Sequence, residues 1–108
     1  MTITLPSDPD LYEPSTLEAL FAPLRAMENA IIDFREAPYV TSAVLSALIV
    51  LHRKRSAAGL PTLRIICNSS FVRRILRAVE FDEIFPIVDS LDEAMADALK
   101  SGDAARRA

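Results

Sequence analysis

Few side chains in this chain are equipped for covalent or metal chemistry. There is one cysteine, Cys67, and one histidine, His52. No disulfide can therefore close within the chain, and no zinc or redox-metal ligand set can be drawn from these residues. A Ser/His/Asp or Cys/His nucleophile system would need His52 as its base. His52 opens the run His52-Arg53-Lys54-Arg55, expected to be a solvated, basic helix face, and that context argues against catalysis. Cys67 lies in an apolar run and is expected to be a small core residue. Both glycines, Gly59 and Gly102, stand alone. That excludes a P-loop or a dinucleotide fingerprint, in which several glycines let the backbone close around phosphates. What remains is a set of hydroxyls at expected helix starts: Thr41-Ser42, Ser69-Ser70 and Ser90. The free N–H groups and the dipole of a helix start favour an anion. A hydroxyl there can accept a phosphate, adding roughly −1.5 to −2 of charge to a partner-facing surface. Ordinarily such a hydroxyl is only the helix cap, so spacing alone does not single out Ser42.

The elements that must position these residues alternate regularly. Ile3 to Leu5 is a short β-prone opening, stopped by Pro6 and the turn Ser7-Asp8-Pro9-Asp10. Ser15 and Glu18 have the spacing of a capping box ahead of Leu17, Leu20, Phe21 and Leu24, one helix face that Pro23 should kink or end early. Ala30 to Phe34 reads as a buried strand. After Tyr39-Val40, the hydroxyls of Thr41-Ser42 precede a helix with Leu45, Leu48, Ile49 and Leu51 inward, stopped by Gly59 and Pro61. Leu63 to Cys67 is a further strand, followed by a helix expected to bury Phe71, Val72, Ile75, Leu76 and Val79 and to solvate Arg73, Arg74 and Arg77. Tyr39 and Phe71 are both expected in the core. Ile84 to Val88 is a strand interrupted by Pro86, which places it at a sheet edge or limits it to a few residues. Ser90 and Glu93 form a second capping box before Leu91, Ala94, Met95, Ala98 and Leu99. The order β-α-β-α-β-α-β-α predicts a small, mostly parallel or mixed four-stranded sheet with about four helices, an α/β fold.

The 108 residues, 51% hydrophobic and 25% charged, suffice for one domain with its own core. Residues 1–100 are assigned to it, and 101–108 to a disordered tail. The net charge of −3 gives nucleic acid no general reason to bind. The opening residues lack a signal-peptide pattern and no run approaches a membrane span, so a cytoplasmic protein without membrane insertion is expected.

From Ile31 to Leu99 the chain resembles the STAS domain family of bacterial anti-sigma factor antagonists and related modules. The family pattern is an apolar strand ending in Asp, a few residues, an aromatic and an aliphatic residue, then Asp-Ser-Ser/Thr-Gly-Leu opening a helix. The run here is Ile31-Ile32-Asp33-Phe34, then Tyr39-Val40-Thr41-Ser42-Ala43-Val44-Leu45. Leu63-Arg64-Ile65, Phe71 to Leu76 and Phe81 to Ala94 match in order. Asp10-Leu11-Tyr12 with Leu17 to Leu24 resembles the approach and first helix. The departures are Thr41 for the aspartate, Ala43 for the second hydroxyl residue and Val44 for the glycine. The family also opens with a two-stranded hairpin where only Thr2 to Leu5 is available, so an open sheet edge and a homodimer through it are expected.

The resemblance implies a non-catalytic regulator of transcription, a phosphoprotein with no cofactor and no metal. Its partner would be a GHKL-type serine kinase that doubles as an anti-sigma factor. Ser42 occupies the phosphoserine position, with Thr41 as the fallback acceptor, and Tyr39, Thr41, Ser42, Ala43, Val44, Leu45 and Ser46 form the expected docking surface. The altered motif also admits a STAS subunit without phosphoswitching, in a stressosome-like scaffold or a lipid-transporting ABC system.

Overall fold

The structure is a computed structural model describing residues 1–96. The expected helix positions Ala98 and Leu99 and the tail 101–108 lie outside the described residues. Four strands, β1 (Thr2–Thr4), β2 (Ile31–Asp33), β3 (Arg64–Ile66) and β4 (Ile87–Val88), form one sheet in the order β1-β2-β3-β4, and every neighbouring pair is parallel. Sequential parallel strands joined by right-handed crossovers leave their connecting helices on one face of the sheet. These helices are α1 (Pro14–Phe21), α2 (Ser42–Ala57), α3 (Ser70–Ala78) and the short α4 (Phe81–Ile84). A final helix, α5, spans 91–96.

The two-residue period of the strands sorts the core. Ile3, Ile32, Ile65 and Ile87 pair in register as one row of isoleucines across all four strands. That row packs into the main core with Leu17 and Phe21 of α1, Val44, Leu48 and Leu51 of α2, and Val72 and Leu76 of α3. The alternate residues Ile31, Ile66 and Val88 form a second cluster with Ala94 and Leu91 of α5. Strand β4 lies at the edge, as Pro86 beside it requires. The opposite edge is β1, which among the described residues pairs only with β2.

Apart from α4, which starts after Glu80 at φ 63° without a side-chain cap, the helix ends follow the local chemistry expected of them with one exception. Thr41 Oγ1 accepts from the Val44 N–H, and Ser69 Oγ from the Val72 N–H, each at 3.3 Å. Ser90 Oγ accepts from the Glu93 N–H, and the Glu93 carboxylate accepts from the Asp89 N–H. Gly59, at φ +73°, closes α2: its N–H reaches Ser56 O and the Leu60 N–H reaches Arg55 O, the double bond of a Schellman end. The exception is α1. The Ser15–Glu18 capping box does not form, because the helix starts at Pro14 with Glu13 ahead of it and no side-chain cap. Proline's fixed φ and missing N–H suit a first helical position, which moves Ser15 inside the helix. Pro23 acts as expected: α1 stops at Phe21 and passes into a 3₁₀ turn over Ala22–Arg25.

Several side chains reverse their expected orientation. Arg55, expected on a solvated face, is only 1% exposed. Its guanidinium donates to Leu24 O at 2.6 Å, Met27 O at 2.5 Å, Glu28 O at 3.1 Å and Pro61 O at 2.7 Å. These carbonyls come from the end of the 3₁₀ turn and the loops flanking β2 and β3. Burial, and secondarily the charge of Arg64, push the Arg55 pKa down. His52 is half-buried and meets the Phe85 ring edge-on at a centroid distance of 5.3 Å. Arg73 is tied to Cys67 O through Nε and to the Asp89 carboxylate, whereas Arg74 and Arg77 are exposed. Phe71, expected inside, is 57% exposed, and Val79 and Tyr39 are also exposed. On α3 only Val72 and Leu76, one turn apart, are fully inside, which rotates Phe71 and Val79 to the flank.

Candidate functional site

At and past the carboxyl ends of β2, β3 and β4 come Asp33, Thr41-Ser42, Ser69-Ser70 and Ser90, at the edge where open parallel sheets present ligand and partner sites. At the end of β2, Asp33 and Arg35 form a paired contact, with Arg35 Nε 3.0 Å from Asp33 Oδ1 and Nη2 2.7 Å from Oδ2. The Arg35 N–H also donates to Oδ1 at 2.9 Å. These bonds from Arg35 hold the Asp33 carboxyl below its ordinary range, against the opposing effect of its burial. At the end of β3, Cys67 is buried as expected, and burial pushes its thiol pKa up. It is a core residue with no nucleophilic setting.

The start of α2 separates two neighbouring hydroxyls by role. Thr41 is the cap, and its oxygen is occupied by the Val44 N–H. Ser42 is the first helical residue, exposed, and its hydroxyl has no hydrogen-bond partner among the described residues. A phosphate on Ser42 would lie against the positive end of a helix running from Ser42 to Ala57. Ser46, one turn further on, is exposed on the same side, with Ala43 and Leu45 half-buried beside it. Tyr39 stands out just before the helix, its ring edge-on to Tyr12 at 6.4 Å. Val44, expected on the docking surface, is 0% exposed, and its side chain belongs to the core. The expected docking surface thus reduces to Tyr39, Thr41, Ser42, Ala43, Leu45 and Ser46.

Ser42 and Ser46 also stand at one end of a groove of about 460 Å³ between α1 and α2. Phe21 and Leu51 form its floor, Ala43, Ala47 and Val50 line it, and Glu18, Arg25 and Lys54 stand on its rim. Sequence reasoning assigned the Leu51 side of α2 to the core and missed this groove. The 43, 47, 50 and 54 spacing of a second stripe was its visible signal. Among the described residues no helix is long and apolar enough to cross a membrane, and no three His, Cys, Asp or Glu side chains converge to hold a metal.

The family model of the STAS domain matches residues 9–94, most of the chain. The protein belongs to the STAS domain family. Its fold agrees with two solved structures. A solution structure of the protein TM1081 superposes with a TM-score of 0.72 at 15% identity, covering 90% of this chain and 79% of that one. A crystal structure of TM1081 from Thermotoga maritima, provisionally described as an anti-sigma factor antagonist, gives a TM-score of 0.67 at 16% identity, covering 90% and 80%. No curated protein matches the sequence.

Within this STAS domain the altered motif acquires a structural meaning. Thr41 stands where the family pattern has aspartate, and both residue types cap a helix by accepting an N–H, so the substitution keeps the cap and removes a charge. Val44 stands where the pattern has glycine, and its isopropyl group fills core space. Neither departure covers Ser42.

Proposed function

We propose that this STAS domain is a non-catalytic switch that docks a protein partner through the surface at the start of α2 and is released when Ser42 is phosphorylated. The observation that carries this reading is the division of labour at the helix start: Thr41 supplies the cap, leaving the Ser42 hydroxyl exposed and unpartnered. Ser42 also occupies the position that the resemblance to the family motif gives to the phosphoserine. A dianion placed there is tolerated by the helix end in the free protein. In a docked interface it must be desolvated, which opposes binding. The partner of this reading is a GHKL-type serine kinase acting as an anti-sigma factor, in the cytoplasm of a bacterium. Thr41 is the poorer acceptor, because its oxygen already serves the helix.

The test is phosphorylation by the cognate kinase with ATP, followed by intact-mass and peptide mass spectrometry. One phosphate on Ser42, lost in Ser42→Ala, is the expected result. An unmodified wild-type protein beside a demonstrably active kinase would refute the switch. Binding to a scaffold or a transport ATPase with no phosphate on either would favour the non-switching STAS subunit.

A further inference from the structure

The groove between α1 and α2 has a defined polarity. The Arg55 guanidinium on α2 bonds Leu24 O and Met27 O beyond α1, so the C-terminal ends of the two helices are pinned together. The groove therefore runs from Pro14, Glu18, Ser42 and Ser46 at one end to Arg25 and Lys54 at the other. From Ser42 to Lys54 it is about 18 Å long at 1.5 Å per residue, roughly three turns of a third helix. Its middle is apolar and includes Val50, which is 48% exposed with no cover among the described residues. Arg25 and Lys54 are exposed and form no ion pair among the described residues, so two uncompensated cations close one end. Small residues Ser42, Ala43, Ser46 and Ala47 line the other end, where a third backbone can approach closely.

We infer that this groove receives an amphipathic α-helix of the partner protein, laid along α1 and α2 with carboxylates over Arg25 and Lys54 and small or apolar residues against Ser42 and Ala43. The inference rests on the reading that the start of α2 is a docking surface, and it names what docks. A groove open along its outer side leaves much of a small anion in water, whereas a helix presents an apolar stripe of matching length and side chains at helical spacing. The polarity also explains why Ser42 is the switch point. A phosphate there occupies the end of the groove beside Glu18, where small or apolar residues of the incoming helix would have to desolvate it.

The test uses the full chain and the partner that copurifies with it from the native host. A photo-reactive benzoylphenylalanine at position 50 should cross-link to a helical, acidic segment of that partner. Val50→Glu and the double variant Arg25→Glu/Lys54→Glu should each weaken binding at least tenfold while keeping the wild-type circular dichroism spectrum. Phe71→Ser, outside the groove, should bind as wild type does. If the partner binds wild type and both groove variants equally, or cross-links from an extended segment, the groove helix is refuted and the docking reading stands. If cross-linking at position 50 captures only lipid, the groove inference fails in the same way. If no protein binds the wild-type chain, the docking reading itself fails and takes this inference with it.

Discussion

Replacing Arg55 by methionine should destabilise the domain severely although it removes only an arginine from a basic run. The guanidinium bonds four backbone carbonyls at 2.5–3.1 Å, and no carboxylate neutralises it among the described residues. Met27 and Glu28 are exposed, so their carbonyls can take water when the arginine is gone. Leu24 is buried and Pro61 half-buried, and each orphaned carbonyl there costs about 1–3 kcal/mol. Together that is about 2–6 kcal/mol, which brackets the roughly 3–5 kcal/mol found when one side of a buried charged network is deleted. Methionine recovers part of this, because an arginine no longer has to be desolvated, and about 3 kcal/mol is the expected net loss. With a urea slope of about 1.5 kcal/mol/M, the unfolding midpoint should fall by ~2 M. Arg55→Lys should lie between, since an ammonium cannot reproduce the planar fork. A methionine variant within about 1 kcal/mol of wild type in equilibrium urea unfolding would refute the reasoning. It would mean that the clamp merely offsets its own desolvation, and that the loop after α1 is held by apolar packing alone.

Three further outcomes follow from the same structure. The Asp33 carboxyl has a lowered pKa because of Arg35, so its contribution to stability is present above the unfolded value of about 3.9 and is lost as pH falls through the folded value. Asp33→Asn should cost about 1 kcal/mol at neutral pH and flatten that acid limb, read by urea unfolding between pH 3 and 6. Cys67, buried with a raised pKa, should react with a thiol reagent at neutral pH only on the timescale of unfolding, and at once in denaturant. Prompt labelling of the native protein would contradict that. Val44→Gly, which restores the family residue, should destabilise by about 2.5–4 kcal/mol through a lost buried side chain and a helical glycine. Urea unfolding measures this, and an unchanged midpoint would contradict the core position of Val44.

The fold was legible because its strands and first helix follow simple periods. Leu17, Phe21 and Leu24 recur at helical spacing and are buried, and the strand runs at Ile31 and Arg64 pair as parallel neighbours. What misled the reading was local composition. His52 to Arg55 reads as a uniform charged run, yet Val44, Leu48, Leu51 and Arg55 form one stripe, and the fourth member turns inward with the other three. Charge conceals such a residue, because the carbonyls that satisfy it come from segments distant in sequence. Phe71 and Val79 failed for the opposite reason: apolar side chains on the flank of a short helix look like core until the sheet fixes its rotation. At the candidate site, the helix start and both hydroxyls were visible, but not which one caps. That depended on Pro38 to Val40 leading the chain in so that Thr41, with φ −99° and ψ 164°, stays outside the helix.

The claim that Ser42 controls docking is tested most directly by one affinity measurement on two forms of the same protein. Wild-type chain, unmodified and stoichiometrically phosphorylated on Ser42 as verified by mass spectrometry, is titrated against its copurified partner by isothermal calorimetry at fixed salt. Tight binding of the unmodified form and at least tenfold weaker binding of the phosphorylated one are expected, with Ser42→Ala binding as the unmodified protein does. Equal affinity of the two forms would contradict the claim.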